Sequence, residues 1–189
     1  MDDPVIIALA VLGGVLLLAL IWLAATYNRF IRVRQHITES WSDVDVELKR
    51  RHELIPNLVA TVKGYAAHER GIFEEVAALR SRAMAPHASA DQAAADESAL
   101  GRAVGRLIAV AEAYPALKAD ANFLALQKEL SNTEDRIAAA RRFYNGNVRE
   151  LNQLCAAVPT NLVAGAFGFT PASFFELGSE AERAVPRVG

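Results

Sequence analysis

The chain has 189 residues, of which 20 are Lys or Arg and 22 are Asp or Glu, giving a formal net charge of −2 at pH 7. All of the basic residues, and all but two of the acidic ones, follow residue 28, so the later part of the chain is close to neutral. That balance argues against nucleic acid as the main partner, because phosphate-binding domains normally carry a basic excess. The single Cys155 cannot form an internal disulfide, which agrees with a reducing cytoplasm.

The first predicted element is a transmembrane helix over residues 4–28, which contain no charged side chain. A helix of this length reaches roughly 37 Å, more than the ~30 Å of a hydrocarbon core. A cleaved secretory signal is the alternative. Such a signal has a basic start and a shorter apolar region, whereas Asp2 and Asp3 open this chain, so a permanent anchor is favoured.

The flanking charges predict which way the anchor points. No Lys or Arg precedes the span, whereas Arg29, Arg32 and Arg34 follow it. Positive charge is retained in the cytoplasm, so residues 1–3 are expected outside and the chain from residue 29 onward inside. Trp22 and Tyr27 lie near the cytoplasmic end, where amphipathic rings favour the headgroup region.

After the span, apolar residues recur at alternating steps of three and four, which is typical of an amphipathic helix. The main members of this stripe are Ile37, Trp41, Val44, Leu48, Ile55, Leu58, Val62, Tyr65, Ile72, Val76 and Leu79. Pro56 either kinks one long helix or opens a second one. The stripe keeps its phase across Pro56, which favours a kink.

Charged residues between the stripes predict a solvated helix face. Asp45 with Lys49 and Glu47 with Arg51 are acid-before-base pairs four residues apart, each contributing about 0.2 to 0.5 kcal/mol on a helix surface. Arg51 itself falls on the apolar stripe. A paired or lipid-facing role is therefore the alternative for that residue.

The remaining elements are a connector, two further helices and an aromatic segment. Residues 84–99 have few large apolar side chains and predict a mobile connector. A helical stripe returns at Leu100. The longest soluble helix runs from Phe123 to Val158; Asp120 and Asn122 are candidate capping residues at its start, and Pro159 marks its end.

The predicted fold is all-α: a single N-terminal transmembrane helix followed by an antiparallel up-and-down bundle of three to four long helices within residues 29–160. Residues 161–177 hold four phenylalanines broken by Gly168 and Pro171. We expect an aromatic cap on the bundle; the alternative is that residues 166–177 contact lipid headgroups or a neighbouring subunit. Residues 178–189 are predicted to be a flexible tail.

No known catalytic or metal motif is complete. His52-Glu53 begins like the zinc-protease H-E-x-x-H, but Pro56 occupies the second ligand position. A di-iron bundle site needs Glu three residues before His, which none of the four histidines has. Phosphate loops and nucleophile elbows are absent from the sequence as well. The pairs His68-Glu69 and Glu74-Glu75 are predicted to be solvated, so no catalytic, cofactor or metal site is expected.

Residues 41–69 resemble the LemA family of bacterial membrane proteins, as does Tyr27-Asn28 before them. The matching stretch runs from Trp41 through His52-Glu-Leu-Ile-Pro56 to His68-Glu69. Residues 122–130, Thr133-Glu134, residues 141–145 and the closing Phe-Gly-Phe and Phe-Phe-Glu share the resemblance. It implies an inner-membrane anchor with an outside N-terminus and a cytoplasmic helical bundle. It brings no established enzymatic activity and no catalytic residue; some relatives are associated with specialised intracellular membranes, others with membrane protein quality control.

These features favour a membrane-anchored, self-associating scaffold that is not an enzyme. Its expected partners are the lipid bilayer, further copies of itself and membrane protein clients, with no cofactor. An adaptor for a membrane protease or another client is the alternative. An enzyme using His68, Glu69 and Glu74 is the least favoured hypothesis.

Overall fold

The computed structural model describes residues 3–66 and 68–177, and this part of the chain contains helices but no strand. The helices are α1 Asp3–Lys63, α2 Arg70–Ala83, α3 Ala90–Glu112, α4 Pro115–Lys118, α5 Ala121–Ala156 and α6 Thr160–Phe167. The predicted all-α class is therefore confirmed. The predicted tail at 178–189 lies outside the described residues.

The chain divides into two compact units. The first unit comprises the described residues up to Glu39 together with Gly146–Ala172, and the second comprises Ser40–Asn145 with the described residues from Ser173 onward. The core of the first unit consists of Phe30, Val33, Leu151, Leu154, Val163, Ala164 and Phe169. The core of the second unit draws on α1 to α5 and includes Ile55, Leu58, Val76, Leu100, Leu107, Leu117 and Phe123.

Helix α1 continues through Pro56, as the unbroken phase of the stripe predicted. Proline has no N–H, so the carbonyl four residues earlier, that of His52, loses its helical hydrogen bond. In the structure Arg80 of α2 takes that place: its Nε donates to the His52 carbonyl at 2.7 Å. The proline thus creates an acceptor that joins α1 to α2.

The predicted connector at residues 84–99 is wrong over most of its length, because α3 begins at Ala90. Alanine has the highest helix propensity, and its small side chain lets a helix approach its neighbours closely. Ala93 and Ala94 are buried, and so is Glu97. The lack of large apolar side chains therefore did not prevent burial, and only residues 84–89 connect α2 to α3.

Helix α5 begins where the sequence predicted. The Asp120 carboxylate accepts the backbone N–H groups of Asn122 and Phe123, both at 2.9 Å. The hydrogen bond from Phe123 has the largest effect on the carboxylate, and together with that from Asn122 it lowers the pKa of Asp120 below its ordinary value. The carboxylate caps otherwise unpaired N–H groups at a helix start, where negative charge is favoured.

The aromatic segment begins with a helix and then continues without regular secondary structure. Gly168 ends α6 with φ 69°, a left-handed conformation that favours glycine, and the Phe169 N–H donates back to the Ala164 carbonyl. In the first unit the side-chain amide of Asn152 both accepts from the N–H and donates to the carbonyl of Ala172.

The second unit repeats this arrangement. The side-chain amide of Asn145 bonds in the same two ways to the backbone of Phe175. Each side-chain amide therefore pairs both backbone polar groups of a residue that lies outside any helix. Phe175 is fully buried, and its ring meets Trp41 edge-on at 5.4 Å.

The bond between Arg80 and the His52 carbonyl can be tested by coupling it to Pro56. In the native chain we expect Arg80→Met to lower the free energy of unfolding by about 1 to 3 kcal/mol, because a carbonyl loses its donor. With Pro56→Ala in place, the new N–H supplies a donor and the same change should cost much less. Urea unfolding of the chain in detergent, followed by fluorescence, gives both values; equal costs in the two backgrounds would contradict the assignment.

The Asp120 cap predicts a pH dependence. Because the folded pKa is lowered, the stabilisation is complete above the ordinary aspartate pKa of about 3.9 and disappears as the pH falls through the lower folded value. Thermal unfolding of wild type and Asp120→Ala should therefore differ at pH 7 and converge at strongly acid pH. A difference in Tm that persists unchanged in acid would contradict this.

Candidate functional site: an uncovered apolar helix and a buried charge cluster

The N-terminal part of α1 is apolar and has no protein cover. Every large apolar side chain in residues 5–21 is between 52% and 67% exposed. Among the described residues, α1 alone has a stretch long and apolar enough to cross a membrane, with a mean hydropathy of 2.9 and none of that stretch buried. In water such a surface is unfavourable, and in a hydrocarbon core it is favourable.

An aromatic cluster lies at the end of this apolar stretch, within the first unit. Phe169 stacks on Phe30 with ring centroids 4.4 Å apart and planes 12° apart, while Phe167 meets the Tyr27 ring edge-on at 5.0 Å. The Arg34 guanidinium lies 5.8 Å from the Phe169 ring centre. The described part of the segment predicted as an aromatic cap therefore packs partly on α1, and Phe167 remains half exposed.

The second unit contains a charge cluster of Arg51 and His52 from α1, Glu97 from α3 and Glu134 from α5. The Arg51 guanidinium pairs with the Glu97 carboxylate, and its Nη1 donates to Glu134 Oε1 at 2.9 Å. Arg51 Nη2 also donates to the Glu97 carbonyl at 3.2 Å. His52 Nε2 lies 2.8 Å from Glu97 Oε1; since an ionised carboxylate only accepts, the proton of this bond is on His52 Nε2.

The charge cluster is buried on one side and open on the other. The side chains of Arg51 and Glu97 are 3% and 1% exposed, whereas that of Glu134 is 50% exposed. Burial alone lowers the pKa of Arg51, but the charges and hydrogen bonds of Glu97 and Glu134 outweigh it and raise that pKa. Arg51 therefore remains charged. Its position on the apolar stripe suggested a paired or lipid-facing role, and the structure shows that it is paired.

Arg51 does not pair with Glu47 as the four-residue spacing predicted. Its ion pairs reach α3 and α5 instead, because a buried guanidinium needs partners on the helices that cover it. Glu47 Oε2 is buried without a hydrogen-bond partner. The other predicted pair, Asp45 with Lys49, is confirmed at 2.6 Å on an exposed face.

A cavity of about 490 Å³ opens beside the charge cluster. His52, Glu97, Trp41 and Tyr144 line it together with the connection at residues 83–90. His52 Nε2 bonds to Glu97 Oε1, so this ring nitrogen cannot bind a cation without breaking that contact. Across residues 3–66 and 68–177, no three His, Cys, Asp or Glu side chains converge as metal ligands do.

The residues considered as an acid and base are not assembled into a site. His68 and Glu69 are exposed between α1 and α2, and Glu74 is exposed on α2. Glu75 forms an ion pair with Arg106. The Cys155 thiol contacts the Phe169 carbonyl at 3.9 Å, and burial raises the pKa of this thiol.

Glu97 is the residue of the charge cluster that sequence reasoning missed, because it fell inside the predicted connector. One feature could have located it: Glu97 lies three residues before Leu100 and so continues the α3 stripe of Leu100, Val104 and Leu107. An arginine on one apolar stripe and a glutamate on another are suitable partners, since a buried charge requires an opposite one.

Over residues 3–66 and 68–177, fold and site define a helical protein with one apolar helix of membrane-spanning length and a buried structural ion network. The chain belongs to the LemA family, whose sequence profile matches residues 40–189, and the predicted resemblance is thereby confirmed.

Several curated proteins are similar to the chain. Magnetosome protein MamQ 2 of Paramagnetospirillum magneticum is 27% identical over 175 aligned positions, covering 79% of this chain and 64% of that relative's own length. Magnetosome protein MamQ of Magnetospirillum gryphiswaldense is 25% identical, covering 91% and 72%. Protein LemA of Metamycoplasma hominis is 26% identical, covering 82% and 71%.

The charge cluster predicts a large difference between two isosteric substitutions. Glu97→Gln leaves the buried Arg51 guanidinium without its fully desolvated partner and should lower the free energy of unfolding by about 3 to 5 kcal/mol. Glu134→Gln removes a half-exposed partner and should cost about 1 kcal/mol or less. Chemical unfolding of the full chain in detergent measures both; equal costs would contradict the assignment of Glu97 as the central partner.

Proposed function

We propose that the protein is a membrane-anchored, self-associating helical scaffold at the cytoplasmic face of the bacterial inner membrane. Its N-terminal segment would cross the bilayer once, and the helices beyond residue 29 would form the antiparallel bundle expected from their stripes. The observation that carries the proposal is the uncovered apolar surface of residues 5–21. Only a lipid environment or other protein can remove that surface from water.

The charges around the span support a cytoplasmic domain. Arg32 and Arg34 are exposed directly after the apolar stretch, and Arg29 is exposed while paired with Glu150 at 2.9 Å. Basic residues at the end of a span are retained on the cytoplasmic side. Residues 1–3 would then lie outside.

A groove on the second unit supports self-association. Helix α1 contributes Asp43, Val46 and Glu47 to the groove, and α5 contributes Arg136, Ala139, Ala140 and Phe143. Phe143 is 68% exposed beside the small side chains of Ala139 and Ala140, so a projecting ring adjoins a hollow. A twofold contact pairs the same surface on both copies, so the Phe143 ring of each copy would enter the hollow of the other.

The groove also carries both signs of charge, because Asp43 and Glu47 line it together with Arg136. In a symmetric pair, Arg136 of one copy would approach the acidic side of the other copy's groove, while the two Phe143 rings would leave water. Burying a phenylalanine stabilises by about 1.5 to 3 kcal/mol, which suits one contact within a larger assembly.

Contact surfaces rather than a reaction centre suit this function. The names of the relatives, magnetosome protein and LemA, designate no catalytic activity. A scaffold that arranges membrane or partner proteins requires an anchor, a rigid helical domain and an exposed interaction surface. The uncovered apolar stretch of α1, the helices of the second unit and the groove at Phe143 support these three requirements.

Self-association predicts a mass of several copies for the full chain in mild detergent. Phe143→Ser should shift the distribution toward monomer, because it removes the ring that fills the hollow of the neighbouring copy. Met84→Ser, on an exposed apolar residue away from the groove, is the matched control and should leave the mass unchanged. Native mass spectrometry or light scattering with detergent correction gives the copy number.

A wild-type chain that is only monomeric in mild detergent would count against the scaffold. If the monomer were instead recovered from native membranes with one stoichiometric partner of another sequence, the adaptor hypothesis would replace it. Circular dichroism of the Phe143→Ser chain shows whether its helices are intact, so that loss of assembly can be told from loss of fold.

A further inference from the structure

A second apolar surface lies beside the span, in the first unit. Residues 151–175 contain no charged side chain. Within this stretch Val158 is 80% exposed, Leu162 is 68% exposed and Phe167 is 51% exposed. Three large apolar side chains thus face away from the core along the α5–α6 turn and α6.

Helix α6 is firmly attached through its other face. Val163 and Ala164 are buried in the core of the first unit, and Phe169 directly after the helix stacks on Phe30. The Thr160 hydroxyl donates to the Leu154 carbonyl at 2.7 Å, which fixes the start of the helix to the end of α5. The exposed apolar side chains are therefore held in place by packing.

The aromatic contacts determine the level of this surface along α1. Phe167 lies 5.0 Å, centroid to centroid, from the ring of Tyr27, which is at the end of the charge-free stretch and two residues before Arg29. Where the apolar stretch crosses a bilayer, Tyr27 is at the boundary between acyl chains and headgroups. Phe167 is then at that same boundary.

The charges nearby select the kind of surface that α6 meets. Arg32 and Arg34 are exposed on α1 just beyond Tyr27, and α6 itself carries no charge. An apolar face at the boundary with cations just above it matches a leaflet containing anionic lipid: the apolar side chains enter the acyl region while the guanidinium groups meet the phosphates.

We propose that α6 and the turn before it lie in the headgroup boundary of the leaflet that the span leaves, as a second membrane contact formed by Val158, Leu162 and Phe167. This inference rests on the proposed function, because it requires the apolar stretch of α1 to cross the bilayer. It assigns the exposed part of the aromatic segment to lipid. The buried part, Phe169 and Phe175, packs within the protein.

The test measures depth in a membrane. Single cysteines are introduced as Leu162→Cys and Phe167→Cys in the full chain carrying Cys155→Ser, spin-labelled, and reconstituted into vesicles of equimolar phosphatidylethanolamine and phosphatidylglycerol. Accessibility to oxygen, which concentrates in lipid, is compared with accessibility to a water-soluble nickel chelate. Leu16→Cys reports the middle of the span, and Met84→Cys, at 54% exposure, is the matched aqueous control.

The labels at positions 162 and 167 should show an oxygen-to-nickel ratio several-fold above that at position 84 and below that at position 16. A ratio at positions 162 and 167 equal to that at position 84 would overturn this inference. If position 16 were lipid-embedded in the same experiment, the proposed function would be unaffected. Protection of 162 and 167 from both reagents would reveal a protein contact and would also overturn it. An aqueous position 16 would instead refute the proposed function itself.

Discussion

An apolar helix surface without protein cover is the constraint on which the protein depends. Residues 5–21 present large apolar side chains on every face of α1. No packing within the first unit removes these side chains from water, so the surroundings of the protein must do so. A hydrocarbon core removes all of them from water. The same helix continues to Lys63 and supplies Arg51 and His52 to the second unit. The helix that carries the uncovered apolar surface therefore also contributes to the core of the second unit.

His52 illustrates how the second unit is held together. Its side chain bonds to Glu97 of α3, and its carbonyl, freed by Pro56, accepts a bond from Arg80 of α2. The neighbouring Arg51 reaches both α3 and α5. Buried ion pairs contribute modestly to net stability but penalise any packing in which a partner is lost, so this network favours one register among the helices. His52, which with Glu53 resembles the start of a zinc motif, thus has a structural role.

Periodicity predicted the helices well and their charged partners poorly. The stripes located α1 and α5, the continuity across Pro56 and the start of α5 at Asp120, because these features depend on local spacing. The connector at 84–99 was mispredicted because alanine-rich segments bury small surfaces that a search for large apolar residues overlooks. Glu97 lies 46 positions from Arg51, and pairings over such distances depend on how helices dock, which the local spacing of residues does not specify. The sequence left open whether residues 166–177 contact lipid or cap the bundle, and the position of Phe167 against Tyr27 became clear only from the structure.

The central claim, that α1 fixes a cytoplasmic helical domain to the membrane, is tested most directly by labelling one exposed position in living cells. Lys128 of α5 is exposed, so Lys128→Cys in the Cys155→Ser background gives a single reactive site in the second unit. In intact bacterial spheroplasts a membrane-impermeant maleimide should leave this site unmodified, and it should label the membrane-bound chain only after the cells are opened. Labelling in intact spheroplasts, or recovery of the chain in the soluble fraction, would contradict the account.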